Sequence, residues 1–164
     1  MQELMDLATR AGALLKERRE TISVAESSSG GLISAALLGV PGASTYFLGG
    51  GVIYTAKARA VLMSLPRESV AGMRSASEPY ALLLAHTARE RLSAIWGLSE
   101  TGASGPTGNP YGDAAGHSCL AISGPVEFAL TLETGSADRI ANMYAFANEA
   151  LSLLLRALEN SPAS

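Results

Sequence analysis

Ala25-Glu26-Ser27-Ser28-Ser29-Gly30-Gly31 sets one carboxyl and three hydroxyls between a short apolar stretch, Ile22 to Ala25, and an apolar run beginning at Leu32. These small and polar residues fall where a strand should hand over to a helix. Such a turn exposes backbone N–H groups and aims the positive end of a helix dipole at whatever lies there. Hydroxyls and a carboxyl at that place can orient, activate or attack a bound molecule. A helix cap explains one of the serines, but it does not require the cluster. Two more segments follow apolar, strand-like stretches in the same way. One is Tyr54-Thr55-Ala56-Lys57-Ala58-Arg59, after a triple glycine. The other is the loop from Gly102 to Asp113, which holds Ser104, Gly105, Thr107 and Gly108. Open α/β sheets place their sites at the carboxyl ends of strands, so the three segments are expected to converge on one pocket there.

Several other chemistries are excluded by pattern. The chain has neither a phosphate-binding G-x-x-x-x-G-K-[ST] nor a dinucleotide G-x-G-x-x-G, and it lacks the G-x-S-x-G nucleophile elbow. His86, His117 and Cys119 are not spaced as metal ligands, so neither a metal nor a cofactor is expected. If a serine attacks, the residues available to activate it are Tyr54, Lys57 and Arg59. The glycine-rich loop supplies N–H donors suited to a phosphate or a developing oxyanion.

Composition narrows the class. A length of 164 residues favours a single domain, with a core over about residues 3–158 and a tail over 159–164. Net charge is −3, which argues against nucleic acid as the partner. The single cysteine leaves no internal disulfide and fits a reducing compartment. No uncharged run approaches the roughly 18 residues of a membrane span. Glu3 and Asp6 stand where a signal peptide would be basic. A cytoplasmic protein is therefore expected, with no membrane partner. A hydrophobic fraction of 48%, rich in alanine and leucine, points to a buried self-interface and hence a homo-oligomer.

The elements that must position these segments can be read from periodicity and breakers. Helices are expected over 2–19, 30–39 and 55–63, over a longest stretch from Glu78 to Trp96 capped by Ser77, and from Asp138 to Leu158 with Ser136 as cap. Strands are expected at Ile22–Ala25, Tyr46–Tyr54, Leu98–Thr101, His117–Ile122 and Val126–Leu132. The last two should form a hairpin about Ser123-Gly124-Pro125. The alternation implies a layered α/β domain with a mixed sheet.

Read together, the motifs resemble the CinA C-terminal domain family. Residues 25–31 resemble its A-E-S-C-T-G-G signature, and Val40-Pro41-Gly42-Ala43-Ser44 its V-P-G-S-S turn. Gly51 to Thr55 resembles its G-x-V-x-Y strand, Ser75 to Glu78 its A-V-S segment, and Thr101 to Gly108 its T-G-I-A-G-P-x-G loop. The resemblance implies a three-layer α/β/α sandwich in a stand-alone form of the domain. It implies an amidohydrolase that converts nicotinamide mononucleotide to nicotinate mononucleotide and ammonia, in pyridine-nucleotide salvage. It also implies a serine, a tyrosine and a lysine at work, of which Ser27 and Tyr54 match the first two. Glu26, Ser28, Ser29, Gly30, Gly31, Gly102, Ser104, Gly105, Thr107 and Gly108 are the substrate-binding candidates.

The family lysine lies five residues after the tyrosine, and Arg59 stands there in this chain. Lys57 lies three after Tyr54, and on a helix it does not share a face with position 59. A guanidinium stays protonated throughout the physiological range and is no general base at neutral pH. The expectation therefore divides between an amidohydrolase of reduced rate and a pyridine-nucleotide-binding homologue that has lost hydrolysis.

Overall fold

A computed structural model describes residues 1–163. The chain runs through α1 (Gln2–Arg18), β1 (Ile22–Glu26), α2 (Leu32–Leu38), β2 (Phe47–Val52), α3 (Ala56–Leu62), α4 (Glu78–Arg91), β3 (Trp96–Ala103), β4 (His117–Ser123), β5 (Phe128–Glu133) and α5 (Arg139–Glu159). The five strands form one sheet in the order β2-β1-β3-β4-β5. The first three of these are parallel; β4 and β5 complete the sheet antiparallel. This is the expected mixed sheet. Its layers are α1, α2 and α5 on one face and α4 on the other, which makes a three-layer α/β/α sandwich.

Side-chain alternation along the central strands divides the core. Ile22, Val24, Leu98, Leu120 and Ile122 pack under α1, α2 and α5, whose leucines and alanines supply most of the apolar volume. The opposite face of β3 and β4 carries small residues, because α4 lies close on it. A Cβ at Gly97 would stand 2.0 Å from the Ala85 carbonyl oxygen, and the Ser99 hydroxyl donates to the Ala81 carbonyl oxygen at 2.6 Å. β1 is buried along its whole length, so it reads as a short mostly apolar run, with Ser23 its one polar residue before Glu26.

The triple glycine lies in the edge strand β2. The β1–β2 register slips between Ile22 and Ser23, which pair with Phe47 and Gly49. A Cβ at Gly50 would meet the Ser34 hydroxyl at 2.5 Å, so the glycine admits the first turn of α2 against the strand.

The largest departures from the expectation lie at the end of α4, the start of β3 and the cap of α5. The helix starting at Glu78 ends at Arg91, and Trp96 opens β3. Ser93 takes a positive φ of 52°, and the chain reverses there without a glycine or proline to mark it. Trp96 is fully buried, with its indole N–H on Glu20. The longest helix is α5, with 21 residues. Its cap is Asp138, whose carboxyl accepts from the Ala141 N–H at 3.0 Å; Ser136 instead accepts from the Asp138 N–H.

Parallel pairing sets the carboxyl ends of β1, β2 and β3 along one edge. Glu26 pairs with Val52, and Ala25 with Ser99. The Ser27 turn, Tyr54 and the loop after Ala103 therefore emerge side by side.

Candidate functional site

The turn after β1 is built around two buried carboxyls. Glu26 is fully buried and accepts five hydrogen bonds, from the Ser29 and Ser34 hydroxyls and from the N–H groups of Gly31, Ile33 and Ser34. A carboxyl in this place satisfies the orphan donors that open α2. Glu100, fully buried on β3, accepts from the N–H groups of Ser27 and Ser29 at Oε2 and from the hydroxyls of Ser28 and Ser118 at Oε1; the Ser29 hydroxyl lies within reach of both acids and has one proton to give. A strand acid 73 residues away thus holds the turn in shape.

Glu26, Ser29, Gly30 and Gly31, substrate-binding candidates from the sequence, build the turn and do not line the cavity beside it. The Glu26 and Ser29 side chains bond each other, the Gly30 N–H donates to the Ser27 carbonyl oxygen, and the Gly31 N–H is held by Glu26. Donors already held in this way do not serve as an oxyanion hole. The sequence reading missed Glu100. The available signal was an acid inside an apolar strand, two residues before a glycine loop.

Ser27 is the residue of the turn that faces the cavity. The space measures about 330 Å³, and its wall includes Ser27, Tyr54, Arg59, Tyr80, Gly102 and Asn109. Among the described residues, no hydrogen bond joins the Ser27 hydroxyl to Tyr54, Lys57 or Arg59: the Tyr54 hydroxyl accepts from Arg139, and the Arg59 Nε donates to Leu65. Lys57 is exposed and absent from the wall, whereas Arg59 is buried and part of it. The Thr55 hydroxyl caps α3 by accepting from the Ala58 N–H, which turns position 59 inward. Lys57→Ala should accordingly change unfolding free energy by less than about 0.5 kcal/mol and leave any turnover unaltered. A chemical-denaturation curve paired with an activity assay measures both.

A second hollow of about 240 Å³ adjoins the first and shares Tyr54, Gly102 and Asn109 with it. Ser28, Ser104, Gly105, Thr107, Gly108 and Arg139 also line it. Arg139, at the start of α5, reaches across: its Nη1 donates to the Gly105 carbonyl oxygen at 2.5 Å and its Nη2 to the Tyr54 hydroxyl at 3.3 Å. Asn142, one helical turn further, donates to the carbonyl oxygens of Ser104 and Ser136 and braces the loop from behind. The Ser104 hydroxyl is buried without a partner among the described residues. No spacing in the sequence ties Arg139 or Asn142 to this place, because they arrive from the far end of the chain.

Charged contacts hold the outer part of the loop. Asp113 accepts from Arg74 at 2.9 Å and from Asn109 at 2.8 Å. Burial works against its charge, but these partners, together with His117, hold its carboxyl below the usual range. His117 is buried, which alone would lower its pKa. The Glu133 carboxyl, the Ala76 carbonyl oxygen and Asp113 outweigh burial and raise it. A raised folded-state value means that the charge contributes stability in full below the ordinary histidine pKa of about 6.5, and that this is lost as pH climbs through the raised value. Melting temperature should therefore fall as pH rises from about 6.5, and Glu133→Gln should flatten the slope. An unchanged slope in that variant would contradict this assignment.

Among the described residues, no cluster of histidine, cysteine or acidic residues could hold a metal ion, and no helix is long and apolar enough to cross a membrane.

Comparison with known proteins agrees with this architecture. The profile of the CinA C-terminal domain matches residues 4–158. A CinA-like protein of Acidobacterium capsulatum is 36% identical over 144 residues, which cover 88% of this chain and 35% of that protein. A CinA-like protein of Anaeromyxobacter dehalogenans is 37% identical over 158 residues, which cover 95% of this chain and 38% of that protein. The chain thus spans little more than a third of the length of these curated relatives. The crystal structure of the competence/damage inducible protein CihA from Agrobacterium tumefaciens superposes with a TM-score of 0.87 at 28% identity, over 96% of both chains. A CinA superfamily protein from Escherichia coli has the same fold, with a TM-score of 0.87 at 24% identity over 94% of this chain and 90% of that one.

Proposed function

We propose that this chain, which belongs to the CinA C-terminal domain family, is a slow amidohydrolase of pyridine nucleotides, with nicotinamide mononucleotide as substrate and Ser27 as nucleophile. The observation that carries this reading is the shared cavity, in which Ser27 and Tyr54 meet at the carboxyl ends of β1, β2 and β3. In the proposed step the Ser27 oxygen bonds to the carboxamide carbon and the C–N bond breaks. The hydroxyl proton leaves with ammonia through the Tyr54 hydroxyl. Water then cleaves the ester, releasing the acid and restoring the serine. The nucleotide phosphate is assigned to the second hollow, beside Arg139 and the glycine loop.

The rate should be low. General-base catalysis contributes typically 10²–10⁴-fold, and the position of the family lysine holds a guanidinium. Positioning by the cavity remains. Purified protein incubated with nicotinamide mononucleotide should release ammonia slowly. Millimolar ligand should raise the melting temperature, because a ligand bound only to the native state stabilises it. No shift at that concentration would count against a retained pocket.

A second reading is a binding or regulatory protein that keeps the pocket without hydrolysis. The absence of a base at the Ser27 hydroxyl favours it, and a thermal shift without ammonia release would identify it. On either reading the partner is a small nucleotide and not a nucleic acid, and the protein works in the cytoplasm. Self-association, expected from the composition, is proposed as well, and light scattering in solution measures it.

A further inference from the structure

Arg59 is a buried cation without an acid beside it. It is 8% exposed, and among the described residues its side chain makes one hydrogen bond, from Nε to the Leu65 carbonyl oxygen at 3.1 Å. Among the described residues, no carboxyl lies within 4.0 Å of its guanidinium. Arginine stays charged at any physiological pH, and the two terminal nitrogens of Arg59, which are not among the buried unpaired atoms, stay open to the hollows it borders, the Ser27 cavity and a larger one whose wall holds Glu68. With those nitrogens accessible and no acid in contact, the cation can take an anion on the Ser27 side. Arg59 belongs to the wall of the Ser27 cavity, where Tyr54, Tyr80 and Tyr111 supply flat apolar surface and no described side chain supplies negative charge. The adjoining hollow suits an anion as well. Its Ser104 hydroxyl is 2% exposed and lacks a partner, and Arg139 stands at its rim. Tyr54, Gly102 and Asn109 belong to both walls, so one molecule can occupy the two spaces together.

We propose that the resident ligand of this site is the acid and not the amide: a heteroaromatic carboxylate mononucleotide, with its carboxylate on Arg59 and its phosphate between Ser104 and Arg139. The proposal rests on the pyridine-nucleotide reading above and specifies which member of that class the pocket prefers. The chemistry follows from donors and acceptors. The two terminal amino groups of a guanidinium match both oxygens of a carboxylate in a bidentate, charge-assisted pair. A carboxamide offers one acceptor, and its NH₂ meets a group that has donors only. Charge-assisted hydrogen bonds exceed neutral ones enough to favour the acid by about 10- to 100-fold. A lysine in the same place, whose amine can lose its charge there, would discriminate less. The chain is thereby fitted to retain the product of amide hydrolysis, whether it makes that product slowly or takes it from solution.

Calorimetric titration of the full chain with nicotinate mononucleotide and with nicotinamide mononucleotide tests this directly. The acid should bind at least tenfold more tightly than the amide. Arg59→Gln, whose side-chain amide can donate to and accept from a carboxamide, should erase or reverse the preference. Arg59→Lys should reduce it, which keeps the test available if the glutamine variant does not fold. Arg139→Ala should weaken both ligands together and leave their ratio unchanged. Equal binding of the two ligands, tighter binding of the amide, or an acid preference that survives in Arg59→Gln would overturn the proposal while leaving the pyridine-nucleotide pocket standing. Binding of neither ligand at millimolar concentration would overturn both.

Discussion

Replacing Glu100 with alanine should cost the fold about 3–5 kcal/mol, a large share of the roughly 5–15 kcal/mol that holds a domain of this kind together. The carboxyl accepts from the Ser27 and Ser29 N–H groups and from the Ser28 and Ser118 hydroxyls, all drawn to one buried point. Removing it orphans the two N–H groups and the Ser28 hydroxyl, while the Ser29 hydroxyl keeps Glu26 and the Ser118 hydroxyl turns to the Thr101 carbonyl oxygen; each buried unsatisfied group costs about 1–3 kcal/mol before water enters. Glu100→Gln separates shape from chemistry. The glutamine oxygen can keep the Ser27 and Ser29 N–H groups, while its NH₂ faces the Ser28 and Ser118 hydroxyls, which can rotate to accept. That variant should lose about 1–2 kcal/mol. Urea unfolding of the three proteins gives the comparison. An alanine variant within 1 kcal/mol of the parent would mean that the turn is held by something else.

The second large effect concerns rate. Arg59→Lys should raise amide hydrolysis by about 10²-fold, the lower end of what general-base catalysis contributes. The substitution puts a group that can lose its proton where the guanidinium cannot. Burial in the cavity wall favours the neutral amine, which is the form able to take the Ser27 proton. Most substitutions at a working site lower activity, so a gain is a demanding outcome. If the variant is slower than the parent, Arg59 does not occupy the place where the missing base belongs.

Much of this arrangement was legible in the sequence, for reasons that can be stated residue by residue. β1 is a buried run ending in an acid, and the small residues after it could only be a tight turn. The three polar segments each followed a strand, and parallel pairing brought Ser27, Tyr54 and Gly102 to one wall. The five-residue spacing from Tyr54 placed Arg59 inside and left Lys57 in solvent. Other features depended on contacts that local pattern does not carry. Glu26 reads as a ligand-binding acid because local pattern does not show that its oxygens are taken up by the turn and by the first residues of α2. Glu100 acts on a turn more than 70 residues earlier. Arg139 and Asn142 come to the glycine loop from the last helix. The break before Trp96 has no mark in the sequence, because Ser93 turns the chain in a left-handed conformation that a glycine would normally supply.

The central claim is that the Ser27 hydroxyl breaks the amide bond in the cavity it shares with Tyr54. The measurement that bears on it most directly is ammonia release from nicotinamide mononucleotide by the parent protein and by Ser27→Ala. The two should be compared with matched melting temperatures and matched binding of the ligand. The account predicts slow release by the parent and none by the variant. Release by Ser27→Ala at the parent's rate would contradict it.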